Sequence, residues 1–446
     1  MSILTLRTHS LPGLALGLLL AVLAVPSGAG ATDPIAFVGA TLHTVSGDDI
    51  PNGTLLIEGT TIRALGPEVE VPADAQVVDV AGKHIYPGLI HPSSTLGLTE
   101  ISSVRATVDT TELGDFNPHI RAEVAFHPDS QLLPVTVSGG ILVAHVVPQG
   151  GLFSGTSAVM HLDGWTWEQM TVLAPAGMHI HFPRSSPRRG DDDEDDPGSQ
   201  ASQDRVLKQL RDTIADARAY QHARQAATAG QGPPFDHDPR METLLPLLEG
   251  RMTLFLHADD KRQIESALDW AKEEGFEHLV LVAGDDAALL AERLAKENVP
   301  VILEGVQRLP SRGWQPYDTP LTAAARLHQA GVRFAIADRT RFSAANSRNL
   351  PFHAAMAMAY GLPAEVALRS ITLTAAEILG VGDRLGSLDA GKEATFIITD
   401  GSPLEILTHI ESAWIAGQQV DPSRDRQKQL YERYRNRPRA VAAAAP

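Results

Sequence analysis

The chain has no cysteine among its 446 residues, so neither disulfides nor thiolate chemistry is available to it. It has no excess of positive charge. Lys and Arg number 37 against 54 Asp and Glu, and the formal net charge is -17. Nucleic acid is thereby excluded as a partner class, because phosphate contacts need a basic surface. The longest apolar run, Leu11 to Val25, falls short of the ~20 residues a membrane span needs. No G-x-S-x-G occurs, so there is no serine-hydrolase elbow. The Gly-rich stretch Gln149 to Gly155 lacks the Lys-Ser/Thr ending of a phosphate loop and reads as an ordinary loop.

What is present is globular: 43% of residues are hydrophobic. A chain this long holds one large barrel plus a smaller domain, or two to three ordinary domains. Arg7, the apolar run and the small pair Ala29-x-Ala31 predict a signal peptide over residues 1–31. The mature protein is then exported with no membrane span, periplasmic in a double-membraned bacterium and otherwise secreted. Residues 32–84 alternate apolar and polar between turn signals, as short strands do. Residues 385–422 repeat that pattern, so the two ends are expected to build one small β-sandwich, followed by a basic tail at 423–446.

Between them, residues 85–384 alternate strand and helix patterns, which predicts an α/β parallel sheet. Thr253–His257, His278–Ala283, Val299–Glu304 and Arg333–Asp338 read as strands, and Lys261–Glu273, Ala287–Glu297, Leu321–Gly331 and Pro351–Leu379 as helical. Residues 184–240 read as an inserted, partly disordered loop plus an exposed helix at 203–228. Its acidic block, Asp191 to Asp196, lacks the alternating ligands and glycine of a calcium loop and reads as solvated.

The most informative stretch is His84-Ile-Tyr-Pro-Gly-Leu-Ile-His91-Pro-Ser93-Ser-Thr95, an apolar strand that ends in small polar residues. It resembles the first barrel strand of the amidohydrolase superfamily, Pro-Gly-Leu-Ile-Asp-x-His-x-His. Pro87, Gly88, Leu89 and Ile90 match, His91 stands at the Asp position, and Ser93 and Thr95 stand at the two His positions. Asn52–Gly59, Val78–Lys83 and Gly361–Asp400 resemble the superfamily's N-terminal strands and its C-terminal return. The closest flavour is the imidazolonepropionase-like group, in an exported subgroup whose histidine pair is often absent. The resemblance implies a TIM-like (β/α)8 barrel with a small β-sandwich formed by both chain ends. It also implies a hydrolase of non-peptide C–N bonds in a small cyclic amide or dipeptide-like substrate.

Superfamily chemistry uses one or two divalent ions to activate water. The resemblance assigns the remaining ligands to His257 on strand five and Asp338 on strand eight, with Asp338 also as general base and His257 as its catalytic companion. Ser93 and Thr95 are poor zinc ligands and are left as substrate-binding residues, and no histidine stands near Ala283 on strand six. His179 and His181 form an alternative pair, since residues i and i+2 share a strand face. His145 reads as a core or lumen residue. Arg348 and Asn349, just after Asp338, are candidates to orient a substrate carboxylate or amide. With a donor set this thin, the expectation is one divalent, zinc-like ion or none. The competing expectation is a non-catalytic barrel that binds a small molecule or another protein.

Overall fold

The structure is a computed structural model that describes residues 33–184, 200–232, 235–338, 343–435 and 437–438. The expected signal peptide at 1–31 and the acidic block Asp191 to Asp196 lie outside the described residues. The chain begins with five strands: β1 (Ile35–Leu42), β2 (Ile50–Glu58), β3 (Thr61–Gly66), β4 (Gln76–Asp79) and β5 (His84–Pro87). Eight barrel strands follow: β6 (Leu89–Ser94), β7 (Ile141–Val146), β8 (Phe153–His161), β9 (Thr171–His181), β10 (Thr253–His257), β11 (Leu279–Ala283), β12 (Val301–Glu304) and β13 (Phe334–Ala337). The last three, β14 (Phe396–Thr399), β15 (Ile410–Ile415) and β16 (Gln418–Gln419), rejoin the first group.

Both chain ends share one sheet, in the order β16-β15-β14-β5-β1-β2-β3, with β4 beside β1. Strands in a sheet lie about 4.8 Å apart, so β1 and β15, three steps apart, would stand roughly 14 Å apart in a flat sheet. Yet the Phe37 ring of β1 sits 5.1 Å from Trp414 of β15 and 5.2 Å from Phe396 of β14. The sheet therefore curls around its own core, where Phe37, Leu55, Ile57, Ile62, Ile85 and Phe396 are fully buried.

Pro87-Gly88 is the switch between the two sheets. Pro87 still pairs with Phe396 in the terminal sheet, whereas Leu89 pairs with Ile141 in the barrel. A Cβ on Gly88 would come 2.8 Å from the Leu142 side chain, so the crossing fits only a glycine without displacement of that neighbour.

The barrel strands follow chain order from β6 to β13, and β13 returns beside β6 to leave the ring nearly closed. All neighbours are parallel except β8, which runs antiparallel to both β7 and β9. Only residues 147–152 join β7 to β8, whereas a parallel crossover takes a dozen residues or more. The short link dictates the reversal, a departure from the all-parallel expectation.

The helix at Gln200–Thr228 is longer than expected and not simply exposed. Leu210, Ile214 and Ala217, spaced four and three apart, are fully buried in the main core. This stripe packs the helix onto the barrel's outer layer together with Pro239–Leu248. Among the described residues, no helix is long and apolar enough to cross a membrane.

Candidate functional site

A cavity of about 370 Å³ opens where the barrel strands end. Ser93, Ser94 and Thr95 line it from β6, His181 and Phe182 from β9, and His257, Ala258 and Asp259 from β10. Glu304 enters from β12 and Asp338 from the residue after β13, with Gln149, Arg184 and Gln263 completing the polar wall. These positions follow from the chain's local grammar. β6, β9, β10 and β12 bury apolar bodies in the barrel and end on Ser94, His181, His257 and Glu304, and Asp338 follows β13; their shared direction carries these residues to one common face. The loop after β10 is fixed by a capping box, in which the Asp260 side chain accepts from Gln263 N and Gln263 bonds back to the cap. The Gln263 amide also donates to Phe182 O at 2.5 Å, which ties the β9 and β10 ends together.

On the β6/β13 side, His91 and Asp338 form a fully buried pair. His91 Nε2 lies 3.0 Å from Asp338 Oδ1, and both side chains have no solvent exposure. Ser93 N donates to His91 Nδ1 at 3.4 Å, which leaves the imidazole proton on Nε2, donated to Asp338. Among the described residues, buried Asp338 Oδ2 has no hydrogen-bond partner. Sequence reasoning set His91 aside. Its signal was its place directly after the buried pair Leu89-Ile90, where an unpaired polar ring is costly. Glu304 was missed as a site residue although it closes the Val301–Glu304 strand. Its Oε1 accepts from Ser93 Oγ at 2.8 Å.

On the β9/β10 side the register sets His179 beside Phe255 and His181 beside His257. The rings follow: His179 stacks on Phe255 with centroids 4.8 Å apart, and His181 on His257 at 4.2 Å. His179 Nδ1 lies 2.8 Å from His257 Nε2. His179 is fully buried, and its Nε2 has no hydrogen-bond partner. Because an orphaned buried N–H is the rarer fault, the proton is assigned to Nδ1, which donates to His257. Burial, then the neighbouring rings of His145 and His181, hold His179 well below the usual histidine range. His179 and His181 therefore occupy successive levels of the lumen, and only His181 lines the cavity.

His145 is a lumen residue, as expected. Its Nδ1 donates to Pro92 O at 2.8 Å, and its Nε2 accepts from Ser157 Oγ at 2.7 Å. Burial lowers it to about 4. A histidine held below its unfolded value of about 6.5 takes up a proton on unfolding, so its contribution is complete above pH 6.5 and is lost as pH falls toward 4. We expect stability to drop between pH 6.5 and 4, by on the order of 3 kcal/mol from His145 alone. Urea midpoints measured across that range, in wild type and His145→Asn, test this. A pH slope unchanged by the substitution removes His145 as a source.

Arg348 and Asn349, expected to bind substrate, are not among the residues lining the cavity. Arg348 is exposed and bonds Gln427 at 2.6 Å, tying its turn to the C-terminal helix Arg426–Arg435. The helix Leu350–Ala359 begins directly after them, with Asn349 at its N-cap. Ser93, Thr95, His181, His257 and Asp338 do converge on the one cavity.

The donors do not gather as a metal centre requires. Among the described residues, no three His, Cys, Asp or Glu side chains come together in a way that could hold an ion. Two hydrogen-bonded pairs stand instead, His91–Asp338 and His179–His257, on different sides of the barrel. The expected ligands His257 and Asp338 belong to different pairs, and the alternative pair His179 and His181 is split between the core and the cavity wall. This donor set does not fit a resident divalent ion.

Residues 255–421 match the amidohydrolase family model. Over 402 residues the chain is 24% identical to the amidohydrolase tasK of Hapsidospora irregularis, covering 82% of this chain. It spans 39% of that relative's length. An 89-residue stretch is 36% identical to the imidazolonepropionase of Syntrophobacter fumaroxidans (strain DSM 10017 / MPOB), 20% of this chain and 21% of the relative. The crystal structure of an amidohydrolase from Thermotoga maritima MSB8 superposes with a TM-score of 0.77 at 24% identity, over 87% of this chain and 99% of that one.

Proposed function

Taking as premise a chain related to the amidohydrolase superfamily, we propose an exported hydrolase that cleaves a non-peptide C–N bond in a small cyclic amide or dipeptide-like substrate. The observation that carries this reading is Asp338, a buried carboxylate on the cavity wall with one oxygen held by His91 and the other without a partner among the described residues. Such a group takes a proton from a water placed against a carbonyl in the cavity. His91 fixes the carboxylate's orientation. His257, on the facing wall, meets the substrate's polar edge, with its ring set by the His179 bond and the His181 stack. Ser93 and Thr95 supply hydroxyls at the β6 end of the same cavity. A cavity of this volume admits a small molecule and excludes a folded protein segment. Export rests on the apolar run Leu11 to Val25 with its Ala29-x-Ala31 site.

A second reading, a non-catalytic binding protein on the same barrel, is favoured by the scattered donor set. Fold does not choose between them, because function resides in the site. The test is turnover of a panel of cyclic amides and dipeptides by the purified full chain. Release of the free amine supports the hydrolase, whereas saturable thermal stabilisation by a panel member without turnover supports the binder. Since the residues do not fit a resident ion, we expect dialysis against EDTA to leave both turnover and the thermal midpoint unchanged. Loss of turnover on dialysis, restored by zinc, overturns that expectation.

A further inference from the structure

We propose that Ser93 is a nucleophile in acyl transfer and Glu304 its general base, an inference that deepens the hydrolase reading and rests on it. Ser93 Oγ donates to Glu304 Oε1 at 2.8 Å, across the cavity mouth from β6 to β12. The hydroxyl proton thus already points at a carboxylate, the relation an activated serine needs. The adjacent serine is differently employed. Ser94 Oγ pairs with Ser347 Oγ at 3.1 Å and accepts from Leu96 N, so it is committed to the backbone turn. The Ser93 backbone is held in turn, with Pro92 before it and its N–H on His91 Nδ1. A structural polar pair needs only the bond. A nucleophile needs also an open face to a ligand-sized cavity, and both residues line one.

The step balances without a cofactor. Ser93 Oγ attacks the scissile carbonyl carbon, a C–O bond forms, and the hydroxyl proton passes to Glu304. The C–N bond breaks as Glu304 gives that proton to the leaving nitrogen, and an ester on Ser93 remains. Water then attacks the ester carbonyl as Asp338 takes one of its protons, the C–O bond to Ser93 breaks, Asp338 passes that proton to Ser93 Oγ, and the acyl group leaves as a carboxylic acid. Asp338 and Glu304 thereby serve successive half-reactions from neighbouring stretches of one wall.

The experiment uses the purified full chain and phenylmethylsulfonyl fluoride, which loses fluoride to a reactive serine and leaves a sulfonate ester. Intact mass is expected to rise by one adduct, mapped to Ser93 by peptide fragmentation. The variant Ser93→Ala should take up none. Glu304→Gln keeps an oxygen that accepts the Ser93 bond but removes the base, so labelling should slow by about tenfold or more with the thermal midpoint retained. A wild-type chain that is never modified, or a Glu304→Gln chain labelled as fast as wild type, overturns the proposal. Amide turnover that survives Ser93→Ala at the wild-type kcat also overturns it while leaving the hydrolase reading intact. Labelled Ser93 in a chain that turns over no amide keeps the nucleophile and removes the hydrolase reading.

Discussion

Asp338→Asn is expected to lower turnover of any accepted amide by about 10²- to 10⁴-fold, the range over which general base catalysis operates. The substitution is close to isosteric. An asparagine oxygen can still accept from His91 Nε2, so the buried pair survives and the fold is retained. What disappears is the charge and basicity at Oδ2, the oxygen without a partner. The loss should fall on kcat with KM little changed, because the group acts on a proton in flight rather than on the resting substrate. Steady-state kinetics on a turned-over panel member, with circular dichroism to confirm folding, check both parts. An unchanged kcat removes Asp338 from the mechanism. His91→Ala is the informative companion. It leaves a buried carboxylate unpaired, which typically destabilises by about 3–5 kcal/mol, so its effect on activity comes with a loss of fold that Asp338→Asn avoids.

Phe37→Ala is expected to cost about 3–5 kcal/mol of stability, a large fraction of what a domain of ordinary stability has. Phe37 is fully buried and packs edge-on against both Phe396 and Trp414, which arrive from the opposite end of the chain. Its removal opens a cavity at the place where the sheet curls on itself, so the C-terminal strands lose their grip on the N-terminal ones. A urea midpoint shifted by that amount, together with faster proteolysis after residue 395, is the expected result. A midpoint within error of wild type shows that the curl is held elsewhere. The cavity wall, built from barrel strands, should keep its activity under mild conditions.

Much of the architecture was legible because burial writes itself into strand sequences. Thr253–His257 and Lys261–Glu273 occur with the boundaries read from the sequence pattern. The resemblance located His257 and Asp338, and the rule that an apolar strand ends on a mouth-facing polar residue, applied evenly, would have located Glu304 too. His91 escaped because its partner lies 247 residues away, a pairing that no local pattern records. The reversed β8 was legible in principle, since residues 147–152 are too few for a crossover. Arg348 and Asn349 were chosen for nearness to Asp338 in sequence, which did not place them on the cavity wall. The stripe Leu210, Ile214 and Ala217 was masked by its Gln- and Arg-rich surroundings, where three apolar positions in a polar helix look like noise.

The shared terminal sheet has a temporal consequence. β14 pairs with β5 on one side and β15 on the other, so a sheet begun by β1 to β5 waits for strands synthesised some 300 residues later. Until residue 399 emerges, β5 presents an open hydrogen-bonding edge, and the ring pocket around Phe37 lacks its two C-terminal partners. Joining segments more than 300 residues apart is a late, entropically slow event. Refolding should therefore show the barrel's helical signal returning ahead of the Trp414 fluorescence change, with the molecule held open in the interval.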